Sequence, residues 1–212
     1  MEIEGTRSES GSGASPDRIK ALADGIFAVA MTILVLELRV PEMDKATDAD
    51  VLHALHALVP KILSYTSGFV ILGTLWIGHH FQFHYIRRSN RALLWINIVF
   101  LLVISSLPFV IGLVGTYGPM RTTCVLYGGV LFLAMGVLLV QWRYVIGRRR
   151  LVGEDVPASV LAGLRNRVVM GMVGYGAGLL LALVAPLASL IVYVVTPLFY
   201  LLPARFDRDI RA

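Results

Sequence analysis

A handful of polar side chains sit inside stretches that are otherwise apolar, and any chemistry would have to start from them. Asp24 follows Arg18 by six residues and opens an apolar run that continues to Leu36. His79, His80 and His84 precede the basic pair Arg87 and Arg88, and Asn97 follows Arg91 by six residues. A carboxylate and imidazoles in such a setting can relay protons, contact a cation or tie helices together through hydrogen bonds. His80 and His84 are four apart, a spacing able to hold a metal ion on one helix face. Two histidines do not complete a metal site, and no Glu-containing metalloprotease pattern surrounds them. Trp76 lies one turn before His80, so ring stacking is the plainer reading. No nucleophile–base pair and no full ligand set are readable. An enzyme or metal-binding protein therefore ranks last, and neither a catalytic residue nor a cofactor is expected.

The elements that carry these groups follow from composition. Of 212 residues, 57% are hydrophobic and only 16% charged, and mean hydropathy is +0.74. Soluble domains carry about 25% charged residues, so the chain reads as an all-α integral membrane protein in one membrane domain. The net charge of +5 is modest and sits in short loops, which points to membrane topology rather than nucleic acid. The single cysteine, Cys124, excludes an intrachain disulfide and a cysteine metal cluster.

A crossing helix needs about 20 apolar residues. Candidate spans fall near 20–40, 61–85, 92–114, 122–146, 168–185 and 187–203. The first stops before Pro41, the second starts after Pro60, and Pro186 marks the turn between the last two, which are short for full spans. Residues 1–16 are polar and rich in Gly and Ser, and read as a disordered tail with no cleavable signal. Residues 17–203 form the membrane domain and 204–212 a short tail. Loop charges set the orientation. The first loop carries Glu42, Asp44, Asp48 and Asp50 against Lys45, with Arg39 at the helix end; the second carries Arg87, Arg88 and Arg91; the third holds only Arg121. The fourth has Arg143, Arg148, Arg149, Arg150, Arg165 and Arg167, the turn at Pro186 has none, and the tail has Arg205, Arg208 and Arg211. Basic clusters at every second loop are what six spans with both termini in the cytoplasm would give.

Counted at about 1.5 Å per residue, Asp24, His80 and Asn97 all fall roughly 9 Å inside the same boundary. One polar layer joining helices 1, 2 and 3 would explain the shared depth, and interfacial residues reaching headgroups would explain it as well. The short side chains of Asp24 and Asn97 cannot snorkel far, which favours the internal network for them. Lys20 and Asp24, four apart, share a helix face, whereas Arg18 does not share it and is free to reach a neighbouring helix or subunit.

Helix 1 carries Val29, Ile33 and Leu36 in one stripe, extended by Leu22 and Gly25, with small residues Ala28 and Thr32 on another face. Asp24 and Glu37 bracket it. A pore wall with apolar constrictions between polar mouths has this pattern, and so does a lipid-facing helix. Val173-Gly-Tyr-Gly176 resembles the filter of tetrameric potassium channels, but it lies in a continuous apolar run, and Gly174 and Gly178 have the four-residue spacing of packed helices.

The stretch from Arg18 to Glu37, with Asp24-Gly25 followed by an Ala- and Ile-rich segment ending Leu34-Val35-Leu36, resembles the first-helix signature of the transmembrane protein 175 family, the lysosomal potassium channels and their prokaryotic relatives. Trp76 with His79-His80, Leu93-Leu94-Trp95-Ile96-Asn97 and Ser106-Leu107-Pro108-Phe109 are similar to it too. Leu22-Ala23 replaces the family's Phe-Ser, removing one hydroxyl beside Asp24. The resemblance implies a homotetramer of six-helix subunits in a prokaryotic plasma membrane, with the lipid bilayer and K⁺, the permeant ion, as its other partners. It implies a pore lined by helix 1 and constricted at Val29, Ile33 and Leu36, with Ile33 the main ring. It implies an inter-helix network of Arg18, Asp24, His80 and Asn97, His80 being preferred to His79 on depth. A potassium-permeable channel is the leading expectation. The alternative is a proton-coupled carrier using Asp24 and His80, which the lack of an internal repeat counts against.

Overall fold

The computed structural model describes residues 15–40, 42–43, 45–148, 151–153 and 155–201, without the side chains of residues 200 and 201. Helix α1 spans Pro16–Ile33 and runs on into a 3₁₀ turn, Leu34–Glu37. It is followed by α2 (Asp48–Tyr85), α3 (Arg91–Tyr117), α4 (Arg121–Gly147), α5 (Ala158–Ala182), α6 (Pro186–Val195) and the single turn α7 (Leu198–Leu201). Among the described residues there is no β-strand, only a bridge between Ile86 and Val152. The ends have local causes. Pro16 at the first helical position and Asp17 in the first turn open α1. Thr47 and Asp50 cap α2 reciprocally, with Thr47 N donating to Asp50 Oδ2 at 2.9 Å and Asp50 N to Thr47 Oγ1 at 3.3 Å. Asn90 caps α3 by accepting from Leu93 N at 3.0 Å.

Four helical stretches are long and apolar enough to cross a bilayer: Pro16–Glu37, Asp48–Tyr85, Arg91–Tyr117 and Arg121–Gly147. The chain is therefore an all-α integral membrane protein. The expected second boundary is corrected, because α2 does not start after Pro60 but carries it inside. A proline removes one helical hydrogen bond, and the capped, helix-favouring segment from Asp48 to Val59 carries the helix through it. At about 57 Å by its rise per residue, α2 exceeds the roughly 30 Å hydrocarbon core. Helix α5 likewise starts ten residues before the expected 168, because Val160, Leu161 and Leu164 bury a stripe continuous with Val168. Arg165 and Arg167 thus stand in its first turns rather than in a loop, still at the end that holds Arg87, Arg88 and Arg148. The sixth expected span is broken: α6 ends at Val195, and Thr196 and Pro197 separate it from α7. Residues 1–14, Pro41, Asp44, Arg149, Arg150, Arg205, Arg208 and Arg211 lie outside the described residues.

Side-chain contacts fix the direction of each neighbour. Asp24 meets Trp76 at one end of α1, and Leu34 and Glu37 border the same small void as Lys61 and Ser64 at the other, so α1 and α2 are antiparallel. His79 meets Asn97, and Gly68 faces Ile111, so α2 and α3 are antiparallel as well. Between lipid-facing helices there is no hydrophobic drive, and van der Waals fit with internal hydrogen bonds must hold the bundle. The larger core comes from α1 to α6 and includes Phe27, Leu72, Phe100, Ile104, Leu131 and Tyr193. A second cluster at the arginine-rich end joins Ile19, Phe83, Leu93, Trp142, Val152 and Leu161. There Arg87 Nη2 pairs with Asp155 at 2.8 Å, and Trp142 Nε1 donates to Leu161 O at 3.0 Å. The Val173–Gly176 segment is plain α-helix within α5. Gly174 abuts Thr196 and Gly178 abuts Tyr193, closely enough that side chains at those two positions would collide with α6 and its end.

Candidate functional site: the exposed stripe of the first helix and its polar anchors

Helix α1 presents two unlike faces. Ile19, Ala23, Phe27, Ala30 and Leu34 are between 0% and 3% exposed, packed into the bundle. Leu22, Val29, Ile33 and Leu36 are 46%, 55%, 42% and 61% exposed in the protomer. The aliphatic stripe read from the sequence is therefore the face that the protomer's own helices leave uncovered. It borders a groove of about 700 Å³ whose opposite wall is Ser105, Pro108 and Phe109 of α3. Ala28 and Thr32 are exposed too, so the small-residue face packs on no helix of the same protomer. The Thr32 hydroxyl turns back to Ala28 O (3.0 Å) and Val29 O (2.9 Å).

The 3₁₀ turn aligns the end of this stripe. An α-helix advances about 100° per residue, so Leu36 would stand some 60° away from Ile33 around the helix. In 3₁₀ geometry residues three apart eclipse. With Leu34–Glu37 wound as 3₁₀, Leu36 stands in line with Ile33 about 6 Å further along the axis. Glu37, the next residue, is turned about 120° from that line.

Two hydrogen-bonded pairs anchor the opposite end. Trp76 Nε1 donates to Asp24 Oδ1 at 2.7 Å, tying α2 to α1. His79 Nε2 lies 2.8 Å from Asn97 Oδ1, tying α2 to α3. The His79 ring is parallel to Phe100 (centroids 5.2 Å apart) and stands 4.5 Å from Phe83 and 6.3 Å from Phe27.

Within the protomer, one of the expected network contacts falls on a different residue. His80 does not meet Asn97; it is exposed, with its ring tilted against Trp76 at 5.3 Å, while the buried His79 takes the Asn97 contact. The reason is azimuthal: His79 continues the buried stripe of Leu72, Leu75, Gln82 and Phe83, and His80 is one residue off it. Arg18 is exposed and has no side-chain partner among the described residues, and Lys20 turns to Asp17 at 3.3 Å rather than to Asp24. Sequence reading also missed a buried amide pair: Gln141 Nε2 donates to Gln82 Oε1 at 3.0 Å, and Gln82 Nε2 to Leu138 O at 3.2 Å. Gln82 stands on the same stripe as His79, which was the available signal. Among the described residues no three His, Cys, Asp or Glu side chains converge as metal ligands would.

Comparison with known proteins places this geometry. The family model described as endosomal/lysosomal potassium channel TMEM175 matches residues 18–108, a stretch that holds the whole stripe and both polar pairs. A potassium channel of Streptomyces collinus is 28% identical over 187 residues, covering 86% of this chain and 90% of its own. The human endosomal/lysosomal proton channel TMEM175 is 27% identical over 170 residues, which are 74% of this chain but 32% of that longer protein. The crystal structure of a lysosomal potassium-selective channel TMEM175 homolog from Chamaesiphon minutus shares the fold, with a TM-score of 0.76 at 23% identity over 87% of this chain and 95% of that one. The first-helix signature, the matched segment and the shared fold agree: residues 18–108 match the TMEM175 family model, and the chain shares the fold of a TMEM175 homolog.

Proposed function

We propose that this protein is a potassium-permeable cation channel of a prokaryotic plasma membrane, built as a homotetramer with α1 of each subunit around the axis and both termini cytoplasmic. The observation that carries the reading is the asymmetry of α1: one face is buried in the bundle, while Val29, Ile33 and Leu36 form an aliphatic stripe that the protomer leaves about half exposed. Lipid tails would satisfy that stripe as well; its place in the family-matched segment, and the full-length match to a relative named a potassium channel, favour the pore.

Rings of these side chains act as a hydrophobic constriction that closes by dewetting. Ile33 is the main ring, with Leu36 in line beyond it. Selectivity comes from the cost of stripping water at an apolar ring, which K⁺ meets more readily than Na⁺. The exposed pair Asp24–Trp76 and the buried pair His79–Asn97 hold α1 and α3 to α2, and the packed face of α1 fixes the ring positions. The carrier reading needs Asp24 and His80 to exchange a proton. Trp76 is hydrogen-bonded to the former and in ring contact with the latter, and no hydrogen bond joins Asp24 to His80 among the described residues.

The test is a K⁺ flux assay on purified protein in liposomes without a pH gradient, together with particle symmetry by electron microscopy. Flux down a K⁺ gradient and a fourfold particle with α1 on the axis are expected. A particle with α1 facing lipid, or transport that depends on a proton gradient, would overturn the proposal.

A further inference from the structure

The Glu37 carboxylate is the acidic group at the end of the α1 stripe remote from the basic loops, where Arg39 turns its guanidinium to Leu36 O (Nε to O, 3.4 Å) and pairs with no carboxylate among the described residues. Glu37 closes the 3₁₀ turn immediately after Leu36 and is exposed in the protomer. It borders the groove along Leu22, Gly25, Val29 and Ile33 on one side. On the other it borders the small void between α2 and α3 that Lys61, Tyr65 and Gly112 line. Lys61 shares that void, yet no ion pair to Glu37 forms among the described residues. The carboxylate instead lies flat on Gly112 of α3. A Cβ at position 112 would stand 2.9 Å from Glu37 Cδ and 3.1 and 3.2 Å from its two oxygens. That is tighter than carbon tolerates, so the bare glycine makes the notch in which the carboxylate sits. The carboxylate is exposed in the protomer, and its groove side is open to water or a cation.

We propose that Glu37, seated in the Gly112 notch, is the outer cation-binding group of the channel. It is a carboxylate that holds a partly hydrated monovalent cation beside the apolar ring of Leu36, and that a divalent cation occupies more tightly. This rests on the channel reading above. The 3₁₀ turn directs Glu37 about 120° away from Leu36, so the charge flanks the conduction path instead of obstructing it. Copies of Glu37 around the axis would raise the local cation concentration through their summed field. Because the field acts through water, salt would screen it: the Debye length is about 30 Å at 0.01 M and about 3 Å at 1 M.

The experiment compares unitary K⁺ conductance of wild type, Glu37→Gln, Glu37→Asp and Gly112→Ala channels in planar bilayers, at low and high salt on the outer side. Glu37→Gln should lower inward K⁺ conductance about threefold at low salt and leave it unchanged near 1 M. The same variant should weaken external Mg²⁺ or Ba²⁺ block by about tenfold. Glu37→Asp keeps the charge and should keep the salt dependence. Gly112→Ala expels the carboxylate from its notch and should reduce block without removing the charge. Conductance ratios independent of salt, or unaltered divalent block in Glu37→Gln, would make Glu37 a packing contact and overturn the inference while wild-type currents leave the channel reading intact. A wild-type protein that carries no K⁺ would overturn both.

Discussion

His79 and Asn97 face each other at 2.8 Å across the α2–α3 interface, with Phe100 parallel to the imidazole. Asn97 Oδ1 accepts only, so Nε2 carries the proton in this contact. Both residues are nearly inaccessible, at 2% and 1%, so removing either one leaves a buried polar group without its partner.

His79→Ala and Asn97→Ala should therefore each destabilise the protein by about 1–3 kcal/mol. The double variant should fall short of the sum, because the second change removes a group that the first has already orphaned. His80→Ala, at an exposed residue that only touches the Trp76 ring, should stay within about 0.5 kcal/mol. Unfolding in detergent followed by tryptophan fluorescence measures all four, and a larger loss for His80→Ala than for His79→Ala would refute the assignment.

The Asp24–Trp76 bond joins an ionisable oxygen to an indole donor at 2.7 Å. Trp76→Phe keeps most of the ring and deletes the donor, and should cost about 1.5–3 kcal/mol if the carboxylate is charged. Asp24→Asn retains an acceptor and should cost less. Persistence of K⁺ flux in Asp24→Asn separates an anchoring role from proton carriage.

Adjacent residues of α1 should behave oppositely. Ile33 is 42% exposed in the protomer, and Leu34 is 1% exposed. Ile33→Asn should leave folding nearly intact, raise K⁺ conductance and reduce discrimination against Na⁺. Leu34→Asn should destabilise the bundle by several kcal/mol, about 3 or more, since it opens a cavity and buries an amide. Thermal unfolding paired with liposome flux resolves the two, and unchanged flux in Ile33→Asn would remove Ile33 from the constriction.

Gln82 and Gln141 form a pair in which one oxygen, Gln141 Oε1, has no partner. Gln82→Leu alone should cost about 1–3 kcal/mol by stranding the Gln141 amide, and the double change to leucine should be close to neutral. A double variant as unstable as the single one would show that the pair contributes more than its own satisfaction.

What the sequence made legible were features written in one helix at a time: four strong spans and the aliphatic stripe. What it hid depended on angle and on partners. Depth alone could not separate His79 from His80, since the two differ by 1.5 Å along the axis and about 100° around it. Pro60 reads as a boundary by local rules, and the cap at Thr47 outweighs it. Arg165 and Arg167 read as loop because they are charged, although the apolar stripe of α5 runs beneath them. The Gln82–Gln141 contact joins residues 59 apart, and nothing near either one announces the other.

The short 3₁₀ turn has a further consequence, which is mechanical. Leu38 N bonds to Val35 O at 3.0 Å; exchanging that acceptor for Leu34 O would rewind the segment as α-helix. Leu36 would then swivel about 60° relative to Ile33 and draw back about 1.5 Å. The residues that lock the α-helical part of α1 into the bundle, Ile19, Ala23, Phe27 and Ala30, precede the turn. The four residues Leu34–Glu37 thus have two windings, which set Leu36 in or out of register with Ile33, and the change would also turn Glu37 relative to the Gly112 notch.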